Sequence, residues 1–272
     1  MTRRAVAVPL VAASLGAAGV TLLLLHGHRA AAPASAATRP HRSAAAIDVN
    51  ALPTPVRPAF TPVATALPRT QVFHFAPILH ATGVRLRPTP AAALVARLST
   101  RTPEGTENIV PVLGRRLDSA GRLWIRVRVP ALPTNAVGWV QRGSLGGYGT
   151  VDSHLVVDLE RLTAVLYREG RAVFRAPIGA GAPAWPTPRG QFYVRDRLTS
   201  LDPATYGPLA FGTSARSRVL TDWPGGGYIG IHGTGQPELI PGRISHGCIR
   251  LRNADILRLG RLMPVGTPVT IQ

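Results

Sequence analysis

In the stretch RLWIRVRVP, residues 122–130, side-chain character changes at every step. Leu123, Ile125 and Val127 fall on one side and Trp124, Arg126 and Arg128 on the other. That period of two fits an extended strand with one buried face; a helix would scatter the same residues around its circumference. Similar short runs recur downstream. HLVVDLERLTAVLYREGRAVFRAPIGAG (154–181) reads as three strands, with REG turning the chain at Gly170. TPRGQFYV (187–194) places Thr187, Pro188 and Gly190 before another alternating run, YIGIHG (228–233) is an apolar strand ending at His232, and GTPVTIQ (266–272) closes the chain. The 28 Gly and 26 Pro suit turns and extended backbone rather than long helices. One helix is expected, after the segment ISHGCIRLRN (244–253). Ile256, Leu259 and Met263 recur there at helical spacing, with Asn253 as its cap and Asp255 in its first turn. The expected fold is mainly β with one short helix.

Upstream, Arg3 and Arg4 precede an uncharged run from Ala5 to Leu25, and small residues follow. This is the layout of an export signal over 1–28. The run is also long enough to span a bilayer, at about 20 residues per crossing, so cleavage and retention as an anchor through 5–25 both stay open. Either way the remainder is expected outside the cytoplasm. Residues 29–70 are rich in Ala, Pro and Arg with a single acid, Asp48, and read as a basic tether. The chain carries +18 from 31 basic and 13 acidic residues, and every basic residue is Arg. Lys chemistry is therefore excluded. Such charge favours anionic wall polymers or lipid head groups. Nucleic acid is not an expected partner of an exported chain without a recognition motif. Two domains follow the tether: a small β domain over 71–149, where AVGWVQRGSL (136–145) is a further strand after a PTN turn, and a second β domain over 152–272.

Cys248 is the one cysteine in 272 residues, so no internal disulfide can form. In an exported chain a leftover thiol is intermolecular or reactive, although a lone cysteine is by itself more often a small buried hydrophobe. Its neighbours favour reactivity. Gly247 permits an unusual backbone and close substrate approach. His246 and His232 each offer an imidazole to take the thiol proton and return it to a leaving amine. Backbone N–H groups around Gly247 and Cys248 suit an oxyanion. Arg250, two residues on, offers a planar fork for a carboxylate, or else an exposed charge or a salt bridge to Asp255. Residue types alone leave the choice of histidine open. The metal alternative is zinc on His232, His246 and Cys248, but the paired C-x-x-C or H-x-x-x-H spacing of zinc sites is missing. No metal and no cofactor are expected.

IHGTG (231–235) followed by SHGCIRLRNAD (245–255) resembles the active-site motif of the L,D-transpeptidases with a YkuD-type catalytic domain, and the segments quoted above from 154 onward resemble that domain's other signatures. The Trp-containing strand with its GWV partner resembles a bacterial SH3-like barrel, a known companion of this domain. The resemblance covers about 152–272 in full. It implies that Cys248 is the nucleophile, His232 its base and acid, and the Gly233 carbonyl the group that orients the imidazole. His246 and Gly247 would shape the oxyanion loop, with Arg250 and Ser245 near the substrate. Tyr228 and Tyr206 are the candidates for the family's lid tyrosine. The implied reaction is 3→3 cross-linking of peptidoglycan stem peptides, donor and acceptor, through a Cys248 thioester, with susceptibility to carbapenem-type β-lactams. Water as acceptor would make the same site an L,D-carboxypeptidase, and an idle thiol would leave a non-catalytic wall-binding protein.

Overall fold

Alternating apolar runs broken by glycine and proline produce two antiparallel-rich sheets. The computed structural model describes residues 72–272 apart from 133–135, 200 and 222–225; the run at 5–25, the tether at 29–70 and the PTN turn lie outside the described residues. The first sheet contains β1 (Phe73–Pro77), β2 (Thr82–Arg85), β3 (Leu94–Leu98), β4 (Ile109–Leu117), β5 (Leu123–Arg128), β6 (Val137–Gln141) and β7 (Gly149–Val151), in the order β3-β2-β6-β5-β4-β1-β7. All its pairings are antiparallel. Val84, Val110, Ile125, Val127 and Val140 fill its core. Ile125 and Val127 are buried as their alternation requires, but Trp124, on the face expected to be polar, is buried too. Its indole Nε1 donates to Asp118 Oδ2 at 3.0 Å, so the turn between β4 and β5 covers Trp124, while Arg126 on the same face stays exposed.

The second sheet carries the remaining runs: β8 (Ser153–Asp158), β9 (Thr163–Arg168), β10 (Arg171–Pro177), β11 (Gly179–Gly181), β12 (Gly190–Leu198), β13 (Ala210–Arg216), β14 (Tyr228–His232), β15 (Gly242–Ser245), β16 (Ile249–Arg250) and β17 (Pro268–Ile271). Their order is β10-β9-β8-β17-β12-β13-β14-β16-β11-β15. The β9–β10 hairpin turns on Glu169 and Gly170, both with positive φ (49° and 75°), the conformation of a type I′ turn whose twist matches the flanking strands. Among the described residues two α-helical segments occur rather than one: α1 (Pro203–Tyr206), a single turn capped by the Asp202 side chain, and α2 (Asn253–Leu262). α1 escaped sequence reasoning because four residues are too few to show a helical period. On α2, Ile256, Leu259 and Met263 are buried against the sheet as their spacing requires. The expected cap was displaced by one residue. Arg252 occupies the N-cap position, and Asn253 is the first helical residue with its side chain committed elsewhere.

Both sheets lie in one compact unit. β12 and β14 meet the first sheet through polar side chains. Tyr193 Oη donates to the Ile109 carbonyl (3.1 Å) and Tyr228 Oη to that of Pro130 (3.2 Å). Arg195, 1% exposed, donates from Nη2 to both carboxylate oxygens of Glu104 at 2.9 Å, a charge-assisted contact.

Candidate active site

β14 and β16 run parallel, with Ile231 opposite Ile249 and His232 opposite Arg250. Sixteen positions apart in sequence, His232 and Cys248 are brought together by this one pairing. Cys248 sits at the entry to β16, where its Sγ accepts a hydrogen bond from the Gly230 N–H at 3.3 Å. Gly230 and His232 share a face of β14. A methyl group at position 230 would lie 3.6 Å from Cδ2 of His232 and 3.8 Å from Sγ, so thiol and imidazole border the same space.

The imidazole is fixed from both sides. Its Nδ1 lies 2.6 Å from the Gly233 carbonyl oxygen. A carbonyl only accepts, so the proton is on Nδ1 and Nε2 is left as the base. The Tyr206 ring meets it edge-on, centroids 5.0 Å apart. Burial pushes the His232 imidazole down to about 4; the Gly233 carbonyl favours the proton, and the Arg250 charge adds to the depression. Burial likewise pushes the Cys248 thiol up, against the Gly230 N–H and the Arg250 charge, which favour the thiolate. At neutral pH the resting pair is a neutral thiol beside a neutral imidazole.

The loop before the cysteine is held by its own hydroxyls. Ser245 Oγ donates to the Cys248 carbonyl (2.6 Å) and accepts from the Gly247 N–H (3.0 Å), so Ser245 pins the turn. Gly247 has φ +116°, and a Cβ there would come within 2.9 Å of Ile229 Cδ1; glycine is required on both counts. Its N–H is already used, which removes it from the donors expected for an oxyanion. Thr187 Oγ1 donates to the Gly247 carbonyl (2.8 Å) and accepts from the Gly181 N–H (2.9 Å), tying TPRG to the cysteine turn. His246 is exposed, and its ring packs on Trp185 with centroids 4.3 Å apart.

Asn253 is the residue that sequence reasoning misassigned. Its Oδ1 accepts from the Thr234 N–H at 2.9 Å, holding the chain just past His232. Gly207 and Gly233 crowd that oxygen: a Cβ would lie 2.4 Å from it at 207 and 2.3 Å at 233. The end of α1, the end of β14 and the start of α2 therefore meet at one point, and Gly233 contributes shape as well as a carbonyl. Only the glycines in GIHG and YGP signal this in the sequence, and nothing there says which strands they join.

Arg250 lines the same small cavity, about 50 Å³, with Tyr206, Tyr228, His232, His246 and Cys248. Its Nη1 donates to Gln236 Oε1 (3.3 Å), while Nε is buried without a partner. Asp255, the alternative partner, faces Arg258 at 3.9 Å. Among the described residues no three His, Cys, Asp or Glu side chains are gathered closely enough to hold a metal ion. The arrangement suits acyl transfer: a nucleophilic sulfur, a base in a fixed tautomer, and a cation for a substrate carboxylate.

Comparison with known proteins points the same way. Residues 152–271 match the model of the YkuD family, the L,D-transpeptidase catalytic domain. A relative from Bacillus licheniformis that bears the name L,D-transpeptidase YkuD is 34% identical over 122 residues, 45% of this chain and 67% of the relative. Its namesake from Bacillus subtilis is 33% identical over the same shares. A solved Ldtfm–avibactam carbamoyl enzyme is 28% identical with a TM-score of 0.35 over 45% of this chain, which spans about half (49%) of that protein.

Proposed function

The chain belongs to the L,D-transpeptidase family through its YkuD-type catalytic domain, and from that premise we propose that it is an exported cysteine transpeptidase joining peptidoglycan stem peptides by 3→3 cross-links. The observation that carries the proposal is the placement of Cys248 Sγ on the Gly230 N–H, beside an imidazole whose Nδ1 is tied to the Gly233 carbonyl.

In the first half-reaction the thiol proton passes to Nε2 of His232 as sulfur attacks the carbonyl carbon of the third, diaminopimelate-like residue. Neither group needs to be charged beforehand, because the proton moves as the C–S bond forms. We assign the backbone N–H of Cys248 to the developing oxyanion, since the Gly247 N–H is engaged by Ser245. The Gly230 N–H stabilises negative charge on sulfur. As the C–N bond breaks, His232 returns the proton to the departing D-Ala amine, leaving a thioester. In the second half-reaction the amine of a neighbouring stem attacks the thioester and loses a proton to His232; as the C–S bond breaks, His232 passes that proton to the departing sulfur and restores the neutral Cys248 thiol. Arg250, with Nε unpaired, takes a stem carboxylate.

Water in place of the amine gives the carboxypeptidase, and mass analysis of products separates a dimer from a trimmed monomer. Cross-linked dimer formed from tetrapeptide stems is the expected result; turnover that persists in Cys248→Ala would refute the mechanism. Export by the 1–28 segment and an SH3-like role for 71–149 belong to the same proposal.

A further inference from the structure

Tyr228 is a wall of two cavities. One is the catalytic cavity; the other is a cleft of about 430 Å³ between the first sheet and β12–β14. The volume is within the range of sites that hold small ligands, about 300–1,000 Å³. Among the described residues that line it, Arg97, Arg101, Arg195 and Arg216 are the charged ones and none is a carboxylate. Arg195 is itself neutralised, holding Glu104 at 2.9 Å and Asp196 at 3.5 Å, so the rim arginines Arg97 and Arg101 are left to meet a ligand's charge. Arg216 donates to the Gly226 carbonyl, and both its guanidinium and that of Arg195 pack on the Tyr228 ring, at 5.0 and 3.8 Å. Arg97 and Arg101, on the exposed rim, make no ion pair among the described residues. Asn108, 6% exposed, lines the wall with an Oδ1 that has no partner.

We propose that this cleft is a second binding site, which takes the acidic peptide of a neighbouring stem while the catalytic cavity holds the reacting one. The proposal rests on the transpeptidase reading above. A stem peptide has what the cleft lacks: carboxylates for the rim arginines. Val95, Leu98 and Pro103 supply apolar wall for its aliphatic portions. Sharing Tyr228 places a peptide bound there next to the site of chemistry, where a two-substrate reaction gains from holding both partners.

The test is photo-crosslinking of a diazirine-bearing diaminopimelate tetrapeptide to the full-length Cys248→Ala chain, with labelled positions mapped by mass spectrometry. Label is expected in two clusters, at 205–206 with 245–250, and at 95–103 with 129–132. Arg97→Glu with Arg101→Glu should reduce the second cluster at least tenfold and leave the first unchanged; both side chains are on the surface, and an unaltered melting temperature checks the fold. Label confined to the first cluster, or a second cluster indifferent to charge reversal, overturns the cleft site while leaving the transpeptidase reading intact. A second cluster displaced by poly(glycerol phosphate) but not by unlabelled stem peptide also overturns it, reassigning the cleft to another wall polymer. Absence of label from both clusters counts against both readings.

Discussion

At the residue scale, the chemistry rests on two groups whose resting charges are set by burial. Cys248→Ala is expected to abolish acylation and turnover while shifting the melting temperature by no more than a few degrees, since it removes one sulfur from a half-buried position. His232 makes a pH prediction with a definite sign. A base acts only when unprotonated, and the folded imidazole titrates near 4 rather than near 6.5. Acylation rates measured from pH 3 to 8 should therefore hold until about pH 5 and fall with a midpoint near 4. An acid limb centred near 6.5 would mean that the imidazole is not held in its buried, Nδ1-donating state. The same shift affects stability. The unfolded imidazole binds its proton first as pH falls, so up to about 3 kcal/mol is lost between roughly pH 6.5 and 4. His232→Asn should remove that part of the acid destabilisation, read as the difference between two melting curves across that interval.

At the element scale, the site depends on a junction more than on any strand. Asn253 at the start of α2 caps no helical N–H and instead accepts from the Thr234 N–H, at the point where Gly207 and Gly233 leave room for it. Asn253→Ala frees a backbone donor at a nearly buried turn and should cost about 1–2 kcal/mol, with a larger fall in kcat than in KM because the orientation of His232 is what loosens. A rise in KM with kcat unchanged would contradict that. This junction also marks the limit of sequence reading. The strands at 123–128 and 154–177 and the helical face of Ile256, Leu259 and Met263 were legible because each is a local period. A turn at Gly170 was legible from REG, but its type I′ geometry is seen only in the positive φ of Glu169 and Gly170. The burial of Trp124 was not legible, since Asp118 from a neighbouring turn satisfies its indole at a position that alternation assigns to solvent. The identities of the nucleophile and its bases could be narrowed to Cys248, His232 and His246, but choosing His232 from residue types alone fails. The proposed choice of His232 rests on the parallel register of β14 and β16, a non-local pairing, while the ring of His246 packs on Trp185.

At the scale of the whole molecule, the first sheet is joined to the catalytic sheet through charge and aromatic surface. Arg195 links Glu104 on one side to the Tyr228 ring on the other, and Tyr228 begins the strand that ends in His232. Glu104→Ala should cost about 2 kcal/mol, below the roughly 3–5 kcal/mol of an isolated broken buried pair, because Asp196 remains 3.5 Å from the guanidinium. Urea denaturation gives that value, and no measurable loss would show that the contact is not stabilising. The central claim, that the single thiol is an activated acyl acceptor, is tested most directly by intact-mass spectrometry of the full-length chain after incubation with a carbapenem, with and without EDTA. One adduct per chain, indifferent to EDTA and missing from Cys248→Ala, is the predicted result; no adduct, or one that requires metal, would contradict it.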